Sequence, residues 1–109
     1  MNNRSQQPRP AEPDIALLYL GSVFEALHHA PERDDAKLDA LAAHIVLDER
    51  PKTLLGLAIT ARAEKWIRRR LWMVEFYSLS PSDRAIRVVI DSAVRVIDKD
   101  KTQVLADAA

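Results

Sequence analysis

Cysteine is absent from the 109 residues, so neither disulfides nor thiol chemistry is open to this chain. Glycine occurs only twice, at Gly21 and Gly56, which excludes a glycine-rich phosphate loop and disfavours an all-β domain with many tight turns. Aromatic residues make up just 6%, whereas alanine and leucine are abundant, and that balance favours helix. No apolar run approaches the roughly 18 residues that a membrane span needs. The polar opening MNNRSQQPRPAEPD has no apolar core, so a secretory signal is not expected, and the chain reads as cytoplasmic. Net charge is lacking too. Sixteen basic residues balance sixteen acidic ones, so no global field draws the chain to nucleic acid or to an anionic membrane. Any electrostatic partner must be recognised by a local patch.

What is present is ordinary globular material: 48% hydrophobic and 29% charged residues, consistent with one domain. A chain of this length can bury about two thirds of its unfolded surface. The stretch Thr53 to Ser78, TLLGLAITARAEKWIRRRLWMVEFYS, holds both tryptophans and the densest basic cluster. It has no proline and one glycine, which predicts a single central helix, roughly 40 Å long at 1.5 Å per residue. At 100° per residue, Leu55, Ile59, Ala63, Trp66, Ile67, Leu71, Val74 and Tyr77 share one broad apolar arc. Arg62, Lys65 and Arg69 gather on another side, and Trp72 and Phe76 fall among them. Arg70 lands near the middle of the apolar arc, where a bare charge is costly to bury.

The rest of the chain supplies three shorter patterns. Residues 1–13, with Pro8, Pro10 and Pro13 among polar residues, read as a disordered arm, and 14–109 as the helical domain. Asp14 is a candidate N-cap for a first helix from Ile15 to about Ala30, with Leu17, Leu20, Phe24 and Leu27 along one stripe. Gly21 inside it weakens the isolated helix and allows a neighbour to approach closely. Pro31 suits the first turn of a second helix, which runs to about Leu47 with Leu38, Leu41, Ala42 and Ile45 inward. Asp48 to Lys52 form a turn broken by Pro51, and Thr53 caps the central helix. Ser80-Pro81-Ser82-Asp83 is a start signal, with Ser80 as N-cap, Pro81 as the first helical residue and Asp83 as the acidic third. The fourth helix then carries Ile86, Val89, Ile90, Ala93, Val94 and Ile97 on one face. Its β-branched residues recur with a period of 3.6, which assigns helix over strand. The expected architecture is all-α: a single-domain, four-helix bundle with a long central helix and a disordered N-terminal arm.

Chemistry is sparse. Glu25-x-x-His28 places a carboxylate and an imidazole one turn apart, as in di-iron bundles, but the chain has no second copy, so no metal or other cofactor is assigned. There is no G-x-S-x-G and no serine with a base in its context, so catalysis is not expected. The basic cluster is more informative. Five basic residues and one acid, Glu64, lie between Arg62 and Arg70, and Glu64 can pair with Arg68 at i,i+4. Arginine and tryptophan are enriched at protein interfaces, so Arg62, Lys65, Arg69, Trp72 and Phe76 are the candidate interaction surface. Apolar surface left over on the first and central helices points to a homo-oligomer. A non-catalytic assembly or adaptor protein is therefore the leading reading. The alternative is a small nucleic-acid-binding protein that uses the same face for phosphate contacts and base stacking.

Thr53 to Trp66, TLLGLAITARAEKW, resembles a box found in short bacterial helical proteins of no assigned activity, roughly T-x-x-G-L-x-x-K-A-R-x-x-x-W. Thr53, Gly56, Leu57, Ala61, Arg62 and Trp66 match it. Thr60 stands where the box has lysine. The resemblance covers this one segment and implies a helical fold without implying a mechanism.

Overall fold

The computed structural model describes the backbone of residues 13–108 and the side chains of residues 13–97. The arm expected over residues 1–13 lies, apart from Pro13, outside the described residues. Four helices account for the fold: α1 (Ile15–His28), α2 (Asp35–Asp48), α3 (Leu54–Ile67) and α4 (Pro81–Ala108). Two 3₁₀ turns, Arg69–Trp72 and Phe76–Ser78, connect α3 to α4, and no strand occurs among the described residues. The protein is an all-α helical bundle, as the periodicity predicts.

Capping sets where each helix begins. Thr53 accepts a hydrogen bond from the Gly56 amide at 2.9 Å and so starts α3. Ser80 does the same for α4, accepting from the Asp83 amide at 3.2 Å with Pro81 as the first helical residue. α2 starts later than the proline signal implies. Asp34 caps it by accepting from the Lys37 amide at 3.1 Å, which leaves Pro31 to Arg33 in the preceding loop.

Asp14 behaves differently from an N-cap. Its carbonyl accepts from Leu18 at 2.8 Å, but its side chain makes no cap bond, and its φ is 66°. The carboxylate instead accepts from the Lys52 amide at 2.9 Å, the Thr53 amide at 2.8 Å and Thr53 Oγ1 at 2.7 Å. One aspartate thereby ties the start of α1 to the start of α3. Aspartate tolerates the left-handed backbone that this requires better than most residues.

The expected helix from Thr53 to Ser78 is broken at Ile67. The helical wheel supplies the reason. Continued α geometry would carry Arg70 into the arc shared by Ile59, Ala63 and Trp66, which meets α1 and α2. The chain tightens into the 3₁₀ turn Arg69–Trp72 instead, and Arg70 is exposed. Burying an unpaired guanidinium would cost more than the few helical hydrogen bonds forgone. With the break in place, α1, α2 and α3 are 14 residues each and α4, at 28, is the longest.

α3 is nevertheless the centre. It contacts α1, α2 and α4, and the main core joins Leu17 and Phe24 of α1, Leu38, Ala42 and Ile45 of α2, and Ala63 and Trp66 of α3. Gly21 of α1 explains the close α1–α3 approach: a Cβ there would lie 3.0 Å from Ile59. α4 runs back along another side of α3, with Ile90 and Ile97 buried. Val89, expected to face inward with them, is 66% exposed, because α4 packs chiefly on α3 and the Arg69–Trp72 turn. One packing direction cannot cover so wide an apolar arc.

Candidate functional site

Of the five expected interaction residues, four line one cleft and one does not. Arg62, Lys65, Arg69 and Trp72 face a space of about 790 Å³, together with Phe24, Glu25, His28, His29, Arg33, Asp35, Trp66, Met73 and Val94. Phe76 is outside this lining. Its ring stands edge-on to Tyr77, with the Arg87 guanidinium 5.3 Å from its centroid.

The three cations are directed by the helices around α3. Arg62 pairs with Glu25 on α1, Lys65 with Asp91 on α4 at 3.3 Å, and Arg69 with Asp39 on α2 at 3.2 Å. Each cation of the expected patch thus meets a carboxylate from a different helix. Half-exposed pairs of this kind contribute about 1 kcal/mol or less apiece, so they orient the helices more than they hold them. They also neutralise the face on which phosphate contacts would depend.

Both indoles are anchored by their N–H groups. Trp66 Nε1 donates to Asp39 at 2.7 Å, and Trp72 Nε1 donates to Asp91 at 3.1 Å. Cations sit over both rings: Arg69 at 4.1 Å and Arg33 at 4.9 Å from Trp66, and Lys65 at 5.1 Å from Trp72. Trp66 is buried and belongs to the core, whereas Trp72 is half-buried in the connector.

His28 stacks on Phe24 and meets Trp66 edge-on at 5.6 Å. Burial pushes its pKa below the ordinary 6.5, and the neighbouring His29 and Arg33 push the same way against the pull of Glu25. Glu25 of the Glu25-x-x-His28 pair is directed to Arg62 and His29 rather than to a point shared with His28. Among the described residues, no group of three or more His, Asp or Glu side chains is placed to hold a metal ion.

Several contributors could not be read from the pattern. Asp39 and Asp91 look like members of solvated helix faces, and Arg33 like a loop residue. Arg87 also reads as solvated, yet its Nη1 donates to the Leu71 and Val74 carbonyls at 3.2 Å each, bracing the connector. The only sequence-level signal is the i,i+4 spacing of Arg87 and Asp91, which puts both on one face of α4.

The boxed segment has a structural account in this chain. Thr53 caps, Ala61 is buried, Arg62 pairs with Glu25 and Trp66 donates to Asp39. Gly56 is a contact position: a Cβ there would meet Asp14 Oδ2 at 2.1 Å. Thr60, at the lysine position, donates to the Gly56 carbonyl at 3.0 Å.

A second cleft opens between the C-terminal parts of α2 and α3. Ala43, Val46, Leu47, Ile67 and Met73 line it, with Asp39, Glu64 and Arg68 to Arg70 completing its lining. Leu47 is 68% exposed, Ile67 42% and Met73 76%, so large apolar side chains meet solvent there.

The geometry defines a small helical bundle organised on α3, and none of its described helices is long and apolar enough to cross a membrane. No family model, curated protein or solved structure matches the chain.

Proposed function

We propose that this protein is a non-catalytic assembly or adaptor protein that acts through protein–protein contacts and forms a homo-oligomer. The carrying observation is the α2–α3 cleft, where Leu47, Ile67 and Met73 converge and stay exposed. Contiguous apolar surface with a polar rim is the usual mark of a contact site, and a two-fold contact between copies is its commonest solution. The expected contact residues Trp72 and Arg69 adjoin it, Trp72 through its neighbour Met73 and Arg69 as part of the lining. Phosphate recognition is the weaker reading, because Arg62, Lys65 and Arg69 already meet carboxylates within the fold.

The test is light scattering behind size exclusion, at low and high salt, on wild type and on Leu47→Ser/Met73→Ser. Both side chains are exposed, so the substitutions leave the core intact. An oligomer that resists salt and dissociates in the variant is the expected result. A wild-type monomer at both salt concentrations, or a variant that assembles like wild type, overturns the reading.

A further inference from the structure

α2 carries apolar side chains on two sides. Leu38, Ala42 and Ile45 are buried in the core with residues of α1 and α3. Along the opposite side run Ala36, Ala40, Ala43 and Leu47, spaced four, three and four residues apart. Ala36, Ala40 and Leu47 are exposed, Ala43 is half-buried, and no charged residue interrupts the line. A helix that is apolar on both sides calls for cover on both, and this spacing is the seam of a helix pair. The seam runs into the α2–α3 cleft, since Ala43 and Leu47 also line that cleft beside Ile67 and Met73. On the side of the seam away from the cleft stand Lys37, His44 and Asp48, seven and four residues apart and so on one flank.

We propose that the surface is covered by a second copy of this chain, with α2 packed against α2 in antiparallel register across a two-fold axis. This rests on the assembly reading and specifies its interface. A two-fold axis perpendicular to the paired helices sets each flank of the seam against its own counterpart. On the cleft side, the exposed Ile67 and Met73 of the two copies then cover one another. On the other side Lys37, near the start of α2, meets Asp48 of the second copy, at its end. The Lys37 ammonium is exposed and has no ion pair among the described residues. Asp48 is 61% exposed and engages His44 through Oδ2 alone. Within one helix the two lie about 16 Å apart along the axis, too far to pair internally. Parallel pairing would instead set the apolar cleft of one copy against the polar Lys37 flank of the other. The alanines let the helix axes approach to about 8 Å, the close end of helix packing.

The test is sedimentation of the full-length chain over a range of concentrations, for wild type and three variants. Ala40→Glu places a charge at the centre of the seam. Ala40 is exposed and glutamate is a good helix former, so the helical circular dichroism should be unchanged while the dimer is lost. Lys37→Glu and Asp48→Lys each set like charges opposite one another at both symmetric contacts, and each should weaken the dimer roughly tenfold. An equimolar mixture of these two variants should dimerise as tightly as wild type, because mixing brings opposite charges together at both contacts.

A wild-type monomer would overturn the assembly reading and this interface together. A dimer lost in Leu47→Ser/Met73→Ser but retained in Ala40→Glu would leave the assembly reading standing and overturn the α2 seam. Unchanged affinity in both charge variants, or no recovery on mixing them, would overturn the antiparallel register.

Discussion

At the scale of single residues, the contact of Asp14, Thr53 and Gly56 shows how one side chain can join two helix starts. Thr53 Oγ1 donates to Asp14 while accepting from the Gly56 amide, so one hydroxyl serves both the α3 cap and the tie to Asp14. Gly56 is helical and its φ is unexceptional, so its role is spatial rather than conformational. In an ordinary helix interior, Gly→Ala would stabilise by about 1 kcal/mol. Here the added methyl would strike the Asp14 carboxylate, and Gly56→Ala should destabilise by about 2 kcal/mol, the usual scale of overpacking. In an Asp14→Ala background the same change should be neutral or stabilising. Chemical denaturation of the four proteins in this double-mutant cycle decides the matter, and additive effects would refute the contact.

At the scale of elements, the connector between α3 and α4 is the part that local preference alone gets wrong. Residues 68–78 lack proline and glycine, and nothing local stops a helix there. The stop is tertiary: continued α geometry would turn Arg70 onto the arc of Ala63 and Trp66, which belong to the buried core. Once the chain leaves α geometry, its carbonyls need new partners. Arg87 meets Leu71 and Val74, and Arg84 meets Leu79 at 3.2 Å. Arg87→Ala should therefore speed amide exchange across residues 69–78 and lower stability by about 1–2 kcal/mol, leaving exchange in α1 and α2 near wild type. Uniform acceleration across the whole domain would show that α4 and its connector unfold only with the core.

At the scale of the whole molecule, two shifted groups make the bundle sensitive to acid. His28, between α1 and Trp66, is held below pKa 6.5 mainly by burial. The folded state thus binds this proton less readily than the unfolded chain. Its contribution to stability is full above pH 6.5 and is lost as pH falls through the lowered value. Desolvation raises the pKa of Asp14, but the Thr53 side chain and the Lys52 and Thr53 amides together outweigh it, so the carboxyl lies below 3.8. Its contribution disappears at more acidic pH. Thermal midpoints should fall in two stages on acidification, and His28→Gln should flatten the first, which begins as pH falls below 6.5. An unchanged slope in that variant would place the sensitivity elsewhere.

By itself the sequence determined the helical class, the starts of α3 and α4, and the inward stripes of α1 and α2. These depend on local capping and on 3.6-residue periodicity, and Thr53, Ser80, Leu38, Ala42 and Ile45 stand where such local rules put them. It also marked Arg62, Lys65, Arg69 and Trp72 as neighbours, since a wheel holds within one helix and nearly holds across its first broken turn. Tertiary structure alone decided that α3 ends at Ile67, that Val89 stays exposed, and that Asp14 binds Thr53 across 39 residues. It also assigned the carboxylate opposite each cation. The physical reason is common to all four: each depends on which helix occupies a given side of α3, and no local spacing encodes that arrangement.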